Sequence, residues 1–115
     1  MRTIPWLLAA LGCGTTVPDE IPEEEFATWA AAVSCERTQE CALSAFEVAY
    51  YGMADCRASE ERAWATTVDL LKDCDYSESR ASDRLRDVQE MDCDDWYEGD
   101  AQEALAEVWG DCTPA

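Results

Sequence analysis

The sequence lacks histidine and is poor in basic residues. It has 8 Lys and Arg against 26 Asp and Glu, which gives a net charge of -18 at pH 7 in a chain of 115 residues. The absence of imidazole excludes a Ser-His-Asp or Cys-His catalytic unit and any zinc site with histidine ligands. The negative charge disfavours binding to nucleic acid and to anionic lipid headgroups. A chain of this length forms one small domain.

The apolar run at residues 4–11 is far shorter than the ~20 residues that a membrane-spanning helix needs. It follows Arg2 and precedes Gly12 and Cys13, an arrangement typical of an export signal. The segment 10–13, Ala-Leu-Gly-Cys, resembles the lipobox of bacterial lipoproteins, in which the cysteine is acylated and becomes the first residue. The resemblance predicts a lipoprotein signal peptide at residues 1–12 and lipidation of Cys13. Cleavage by an ordinary signal peptidase is the alternative.

The number of cysteines supports lipidation. Of the 7 cysteines, those after Cys13 form an even set, which is typical of a disulfide-bonded exported domain. Residues 13–21 carry turn formers and no apolar periodicity, so we expect a lipidated tether there and a stapled domain over 22–115. Gly14 favours the outer membrane over the inner, because an Asp at that position commonly retains such lipoproteins in the inner membrane. The expected location is therefore the cell envelope, with secretion as the alternative.

The domain is predicted to be all-α, a small disulfide-stapled bundle of about four helices. The first helix is predicted from about Pro22 to about Arg37, and Phe26, Trp29, Ala30 and Val33 share one face. A second helix is predicted after Ser59, with Trp64, Thr67, Val68 and Leu71 on one stripe. A third follows Asp75 or Ser77 and presents Ala81, Leu85 and Val88. The fourth opens with a capping box from Asp100 to Glu103, buries Ala101, Leu105, Val108 and Trp109, and stops at Gly110.

The stretch from Cys41 to Ala54 is predicted to form a short helix followed by coil, because its apolar residues have helical spacing until Tyr50-Tyr51-Gly52. An Asp-Cys pair recurs along the domain at positions 55–56, 73–74, 92–93 and 111–112. Each pair lies at a predicted helix boundary. Three of these aspartates, Asp73, Asp92 and Asp111, are predicted at helix C-terminal ends, where a negative charge opposes the helix dipole.

The six cysteines of the domain are predicted to form three disulfides. Cysteines that flank one helix cannot pair, because a thirteen-residue helix spans roughly 20 Å and a disulfide needs Cα atoms within about 7 Å. Five pairings survive in an up-and-down bundle, and the favoured one bonds Cys74 to Cys112, which lie at the same end. Cys35 and Cys41 then pair with Cys56 and Cys93 in an order that helix length leaves open.

The acidic segment from residue 92 to residue 100 is the one stretch that resembles a binding site. It surrounds two aromatic residues with carboxylates, and its candidate binding residues are Asp94, Asp95, Trp96, Tyr97, Glu98 and Asp100. An aromatic pair inside an acidic rim suits recognition of a cationic partner. The alternative is a solvated helix corner in which Trp96 covers the core. The spacing does not fit an EF-hand loop, so we expect no metal and no cofactor.

Several short motifs, taken in order, resemble the small cysteine-rich lipoproteins of myxobacteria. They are Cys35 and Cys41 with five residues between them, Tyr51-Gly52-Met53-Ala54-Asp55-Cys56, Cys74-Asp75-Tyr76, Cys93-Asp94-Asp95, and Val108-Trp109 with Cys112. The resemblance covers about Phe26 to Cys112. It implies an exported, disulfide-bonded lipoprotein and implies no activity.

The expected function is that of a lipid-anchored binding or structural module of the envelope, with no catalysis. A stapled domain of this size has little room for an active-site cleft. The alternative is an acidic immunity-type protein or inhibitor that neutralises a basic secreted toxin or enzyme, with the charge steering association. Its expected partners are the membrane, through the lipid on Cys13, and a basic protein.

Overall fold

The computed structural model describes residues 15–110 and Cys112. Within these residues the chain forms six helices and no strand, which confirms the predicted all-α class. The helices are α1 (Phe26–Cys41), α2 (Leu43–Ala49), α3 (Met53–Leu70), α4 (Glu78–Glu90), α5 (Cys93–Tyr97) and α6 (Asp100–Ala106). Two 3₁₀ segments, Glu23–Glu25 and Glu107–Trp109, precede α1 and follow α6.

The core lies between α1, α4 and the C-terminal helices, and α3 packs along α1 as the most extensive helix pair. Phe26, Ala30 and Val33 of α1 are buried, which confirms most of the predicted face, and Trp29 is half-buried against the same cluster. The predicted buried residues of the third and fourth helices are confirmed as well. Helical periodicity identifies these residues because apolar side chains three and four positions apart share one side of a helix.

An aromatic cluster centred on Phe26 forms the middle of the core. The ring of Phe26 packs edge-on against Trp109, with ring centroids 5.0 Å apart, and against Trp64 at 5.6 Å. Trp109 is completely buried, and its indole Nε1 donates a hydrogen bond to Glu23 Oε2 at 3.0 Å. Tyr76 closes the cluster at 5.5 Å from Trp109. Four large aromatic side chains thus meet at one point, with the indole N–H of Trp109 paired.

Residues 15–21, which we call the N-terminal strap, lie along α4 in the opposite direction to that helix. Val17 and Ile21 of the strap are buried. Contacts along its whole length hold it. They include bonds from Gln89 to the Thr15 carbonyl, from Arg86 to the Val17 carbonyl, from Ser82 to the Pro18 carbonyl, and from the Ile21 N–H to the Glu78 carbonyl. The packed unit therefore includes residues 15–21, which the sequence leads us to expect in a tether. Only two apolar side chains of the strap are buried, too few to give a periodic signal.

Two helix boundaries differ from prediction. α1 continues to Cys41 instead of ending near Arg37. α3 begins at Met53, so Ser59 lies inside the helix and does not cap it. The earlier start places Cys56 within α3, where it is buried beside α1, and the Asp55 carboxylate accepts a hydrogen bond from Tyr51 N–H at 3.0 Å. Burial of Cys56 outweighs the local capping signal of Ser59.

The C-terminal region contains an additional helix, α5, that the sequence does not predict. Its N-cap is Asp92, whose carboxylate accepts from Asp95 N–H at 3.1 Å, so Asp92 begins a helix and does not end one. The predicted capping box at Asp100 is wrong, because Gly99, with φ +91°, takes the N-cap position of α6. By contrast, Ser77 caps α4 as expected, and Gly110, with φ +71°, ends the last turn. Asp111 lies outside the described residues.

Three disulfides join the helices. Cys74 is bonded to Cys112 with Cα atoms 5.8 Å apart, the pair that helix length favours. Of the two orders left open, the structure has Cys35 with Cys56 at 6.0 Å and Cys41 with Cys93 at 5.3 Å. The first bond joins α1 to α3, and the second joins the end of α1 to the start of α5.

Candidate functional site

The segment from Asp92 to Asp100, which we call the acidic corner, consists of α5 and the turn into α6. The Cys41–Cys93 disulfide attaches it to the end of α1. A second attachment comes from the Tyr97 hydroxyl, which donates to the carbonyl oxygen of Cys41. The acidic corner is thus held covalently at its first turn and by a hydrogen bond at its last.

Arg37 supports the acidic corner from inside, a role that the sequence does not reveal. Its guanidinium donates to the carbonyl oxygen of Met91 at 2.8 Å and contacts the Sγ of Cys41 at 3.2 Å. The side chain is 12% exposed. The position of Arg37, one turn before Cys41 on the same helix, is the only sequence signal of this contact. Because this largely buried guanidinium donates hydrogen bonds to backbone carbonyls, it fixes the position of the chain just before α5.

The aromatic pair of the acidic corner is divided between core and surface. Trp96 is half-buried and packs against the hydrophobic core. Tyr97 is 61% exposed and lies edge-on to Trp96, with ring centroids 5.5 Å apart. The structure therefore brings both predicted residues together but leaves mainly the ring of Tyr97 for contact with a partner.

The carboxylates of Asp95, Glu98 and Asp100 converge. Each offers an oxygen, and these atoms lie within 4.8 Å of one another. Among the described residues no Lys or Arg forms an ion pair with them or with Asp94. The nearby charge of Asp92 raises the pKa of Asp95, with smaller contributions from partial desolvation and from Asp100. The acidic corner therefore carries a concentrated negative charge that an incoming cation would neutralise.

The geometry does not assign a resident metal to these three carboxylates. All three belong to one short surface segment, and Asp95 and Glu98 are exposed. A calcium site needs six to eight oxygen ligands, commonly including backbone carbonyls. The convergence of carboxylates is better matched to a cationic side chain, which needs only one or two of them.

The described residues also form a shallow open groove at the opposite end of α1. It has a volume of about 340 Å³ and is lined by Glu23, Glu24, Ala65, Val68, Asp69 and Lys72. Lys72 and Asp69 lie 3.7 Å apart in it, so its one cation is already paired. Among the described residues, no three carboxylates converge in this groove as they do in the acidic corner.

The predicted lipidation site, Cys13, lies outside the described residues. None of the described helices is long and apolar enough to cross a membrane. Comparison of the chain with protein-family models, curated proteins and solved structures finds no match.

The raised pKa of Asp95 predicts a stability that depends on pH. A carboxyl group whose pKa is higher in the folded than in the unfolded state favours folding when protonated, and this contribution is lost as pH rises from the unfolded value through the folded one. We expect Asp95→Asn to raise the melting temperature at pH 7 relative to the unsubstituted protein, and the difference to disappear below about pH 4. Thermal melts of the oxidised protein from pH 3 to pH 7 measure this.

Asp83→Asn is the matched control, since Asp83 is exposed on α4 and forms no ion pair in the described chain. It should leave the difference between pH 7 and pH 3 nearly unchanged. Equal effects of the two substitutions would contradict a local repulsion at Asp95.

Proposed function

We propose that the protein is a lipid-anchored, disulfide-stabilised module of the cell envelope that binds a cationic protein partner through the acidic corner, without chemistry of its own. The observation that carries the proposal is the convergence of the carboxylates of Asp95, Glu98 and Asp100. They are fixed to the bundle by Cys93 and have no basic partner among the described residues. Like charges that are held close together repel one another in the free protein, and a cationic partner relieves this repulsion when it binds. A preorganised cluster therefore favours the complex.

Two features support the anchor. All six cysteines that follow Cys13 pair with one another, which leaves Cys13 available for acylation. The residues before it carry the short apolar run and the lipobox resemblance described above. The resemblance to myxobacterial lipoproteins agrees with an envelope location.

Lipidation predicts a defined mass. Protein extracted from membranes should begin at Cys13 and carry a diacylglycerol and a further acyl group, whereas Cys13→Ser should abolish both modification and membrane retention. Intact-mass spectrometry of the two proteins measures this. A soluble product with an unmodified amino terminus would exclude the anchor.

Binding at the acidic corner is tested with a defined probe, a short arginine-rich peptide. Neutralisation of the corner by Asp95→Asn, Glu98→Gln and Asp100→Asn together should weaken the peptide's affinity by at least about tenfold. Each charge-assisted hydrogen bond contributes about 1.5–3 kcal/mol, and less where the groups are exposed to water. Titration calorimetry at physiological ionic strength measures the affinity.

The control variant neutralises three carboxylates elsewhere, Glu25→Gln, Asp73→Asn and Asp83→Asn. These residues are exposed and form no ion pair in the described part of the chain. Each variant loses three negative charges, so both have the same net charge. The control should lose less than about threefold in affinity, because it changes only the long-range field. Equal losses would show that the peptide responds to overall charge and that the acidic corner is not a site.

A stoichiometric inhibitor of a basic toxin or enzyme is the second candidate function, and the net charge of -18 favours it. Such a protein gains from electrostatic steering, so its association rate should fall steeply between low and physiological salt. A gene for a basic secreted protein beside this one would supply the partner for that measurement. An association rate that is insensitive to salt would argue against an inhibitor.

A further inference from the structure

Helix α2 and the residues after it expose large apolar side chains on a strongly acidic protein. Only Phe46 of this helix is buried. Leu43 is 50% exposed, Val48 89% and Tyr51, which follows the helix, is completely exposed. We call these three residues the α2 apolar surface. Residues 42–51 contain a single charge, that of Glu47. Transfer of these exposed side chains from water to an apolar phase would be favourable.

The bundle holds α2 firmly. Phe46 packs with Cys35 and Cys56, the two cysteines that join α1 to α3, and Tyr50 lies beside it with ring centroids 5.5 Å apart. Cys41, two residues before the helix, is bonded to Cys93 at the start of α5. The apolar side chains are therefore presented on a fixed support.

The N-terminal strap begins at the same end of the bundle. Thr15 N–H donates to Glu36 Oε1 at 3.2 Å, and Arg57 donates to Glu36 Oε2 at 3.3 Å. Glu36 and Arg57 directly follow Cys35 and Cys56, whose disulfide lies against Phe46. The chain thus enters the bundle beside the support of α2.

Only Gly14 separates Thr15 from the predicted lipidation site, Cys13. Two residues reach at most about 7 Å. A lipid attached to Cys13 would therefore bring this end of the bundle, and not the opposite end, close to the bilayer surface.

We propose that the α2 apolar surface docks on the lipid bilayer that holds Cys13, and so fixes the orientation of the domain. Leu43 and Val48 enter the interfacial layer, and Tyr51 takes the position that tyrosine prefers there, with its ring among the lipids and its hydroxyl in water. The lipid is zwitterionic, because a net charge of -18 is repelled by an anionic surface. The inference rests on the proposed lipidation of Cys13.

The test uses membrane-extracted protein reconstituted in phosphatidylcholine vesicles, with the mass of Cys13 measured on the same preparation. Val48→Trp reports the environment of α2. Leu70→Trp is the matched control, since Leu70 is 60% exposed and lies about 21 Å along α3 from Cys56, toward the other end of the bundle. Brominated phosphatidylcholine quenches tryptophan at short range, and the four native tryptophans that follow Cys13 give the same background in both variants.

Docking predicts that the quenching added by Trp at position 48 is at least about twice that added at position 70, because only the former lies in the lipid interface. Equal quenching at the two positions on an acylated chain would overturn the docking and leave the anchor intact. An unmodified Cys13 would overturn the anchor and the docking together. A dimer in detergent that dissociates on Val48→Ser would instead assign the α2 apolar surface to a second copy of the chain, and would also overturn the docking.

Discussion

Reduction of the three disulfides is expected to unfold the domain at neutral pH. The bonds Cys35–Cys56, Cys41–Cys93 and Cys74–Cys112 have sequence separations of 21, 52 and 38 residues. Restricting the unfolded chain over loops of these lengths stabilises the fold by about 3–4 kcal/mol for each bond. The combined loss, on the order of 10 kcal/mol, is comparable with the whole free energy of unfolding of a domain, about 5–15 kcal/mol. Far-UV circular dichroism with and without a phosphine reductant measures the loss of helix.

Pairwise replacement by alanine separates the contributions. The Cys41 and Cys93 double variant should lose about 0.8 kcal/mol more than the Cys35 and Cys56 variant, because the longer loop gains more entropy on unfolding. Alkylation of the denatured protein without reductant should label none of the six cysteines. A reduced chain that keeps its helix content and a cooperative melt would contradict the dependence on disulfides.

Trp109→Ala is expected to lower the free energy of unfolding of the oxidised protein by about 3–5 kcal/mol. The indole is fully buried, packs edge-on against Phe26 and donates to Glu23, so its removal leaves a cavity and an unpaired carboxylate. Urea denaturation followed by circular dichroism measures the change, with the disulfides kept intact.

Two comparisons make this prediction specific. Trp109→Phe keeps most of the ring contact and loses the hydrogen bond to Glu23, so it should cost clearly less than Trp109→Ala. Trp96→Ala should also cost less, because Trp96 is only half-buried. A Trp96 variant as unstable as Trp109→Ala would show that the acidic corner is a part of the core and could not serve as an independent binding surface.

The buried faces of the helices could be predicted from the sequence, whereas the start of α3 could not. Leu85, Val88, Leu105 and Trp109 recur at helical spacing, and a period of 3.6 residues is enough to place them on one side. Ser59 has the residue type of an N-cap, yet it lies inside α3 because burial of Cys56 against α1 extends the helix backwards. Local capping contributes about 1 kcal/mol, less than a buried disulfide.

The acidic corner was predicted as a cluster, but its internal arrangement was not. The five residues of α5 are too few to show a helical period, so this helix has no signature in the sequence. The sequence therefore does not show that α5 turns Trp96 toward the core and Tyr97 toward solvent. The choice between Cys56 and Cys93 as the partner of Cys41 depends on the path of α2, which only tertiary packing decides. Predictions from spacing thus succeed where an element is long enough to repeat and fail where three-dimensional contacts set the path.

The antiparallel course of the N-terminal strap determines how the protein responds to mechanical tension. A pull on the chain ahead of Thr15 loads its contacts with Glu36 and Gln89 first, then that of Val17 with Arg86, and reaches Ile21 last. The contacts open one at a time, as in a zipper, and are not sheared together. Once its contacts have opened, the peeled segment 15–21 releases up to about 24 Å of chain. The strap is therefore an extensible segment that takes up displacement while the disulfide-bonded helices stay folded.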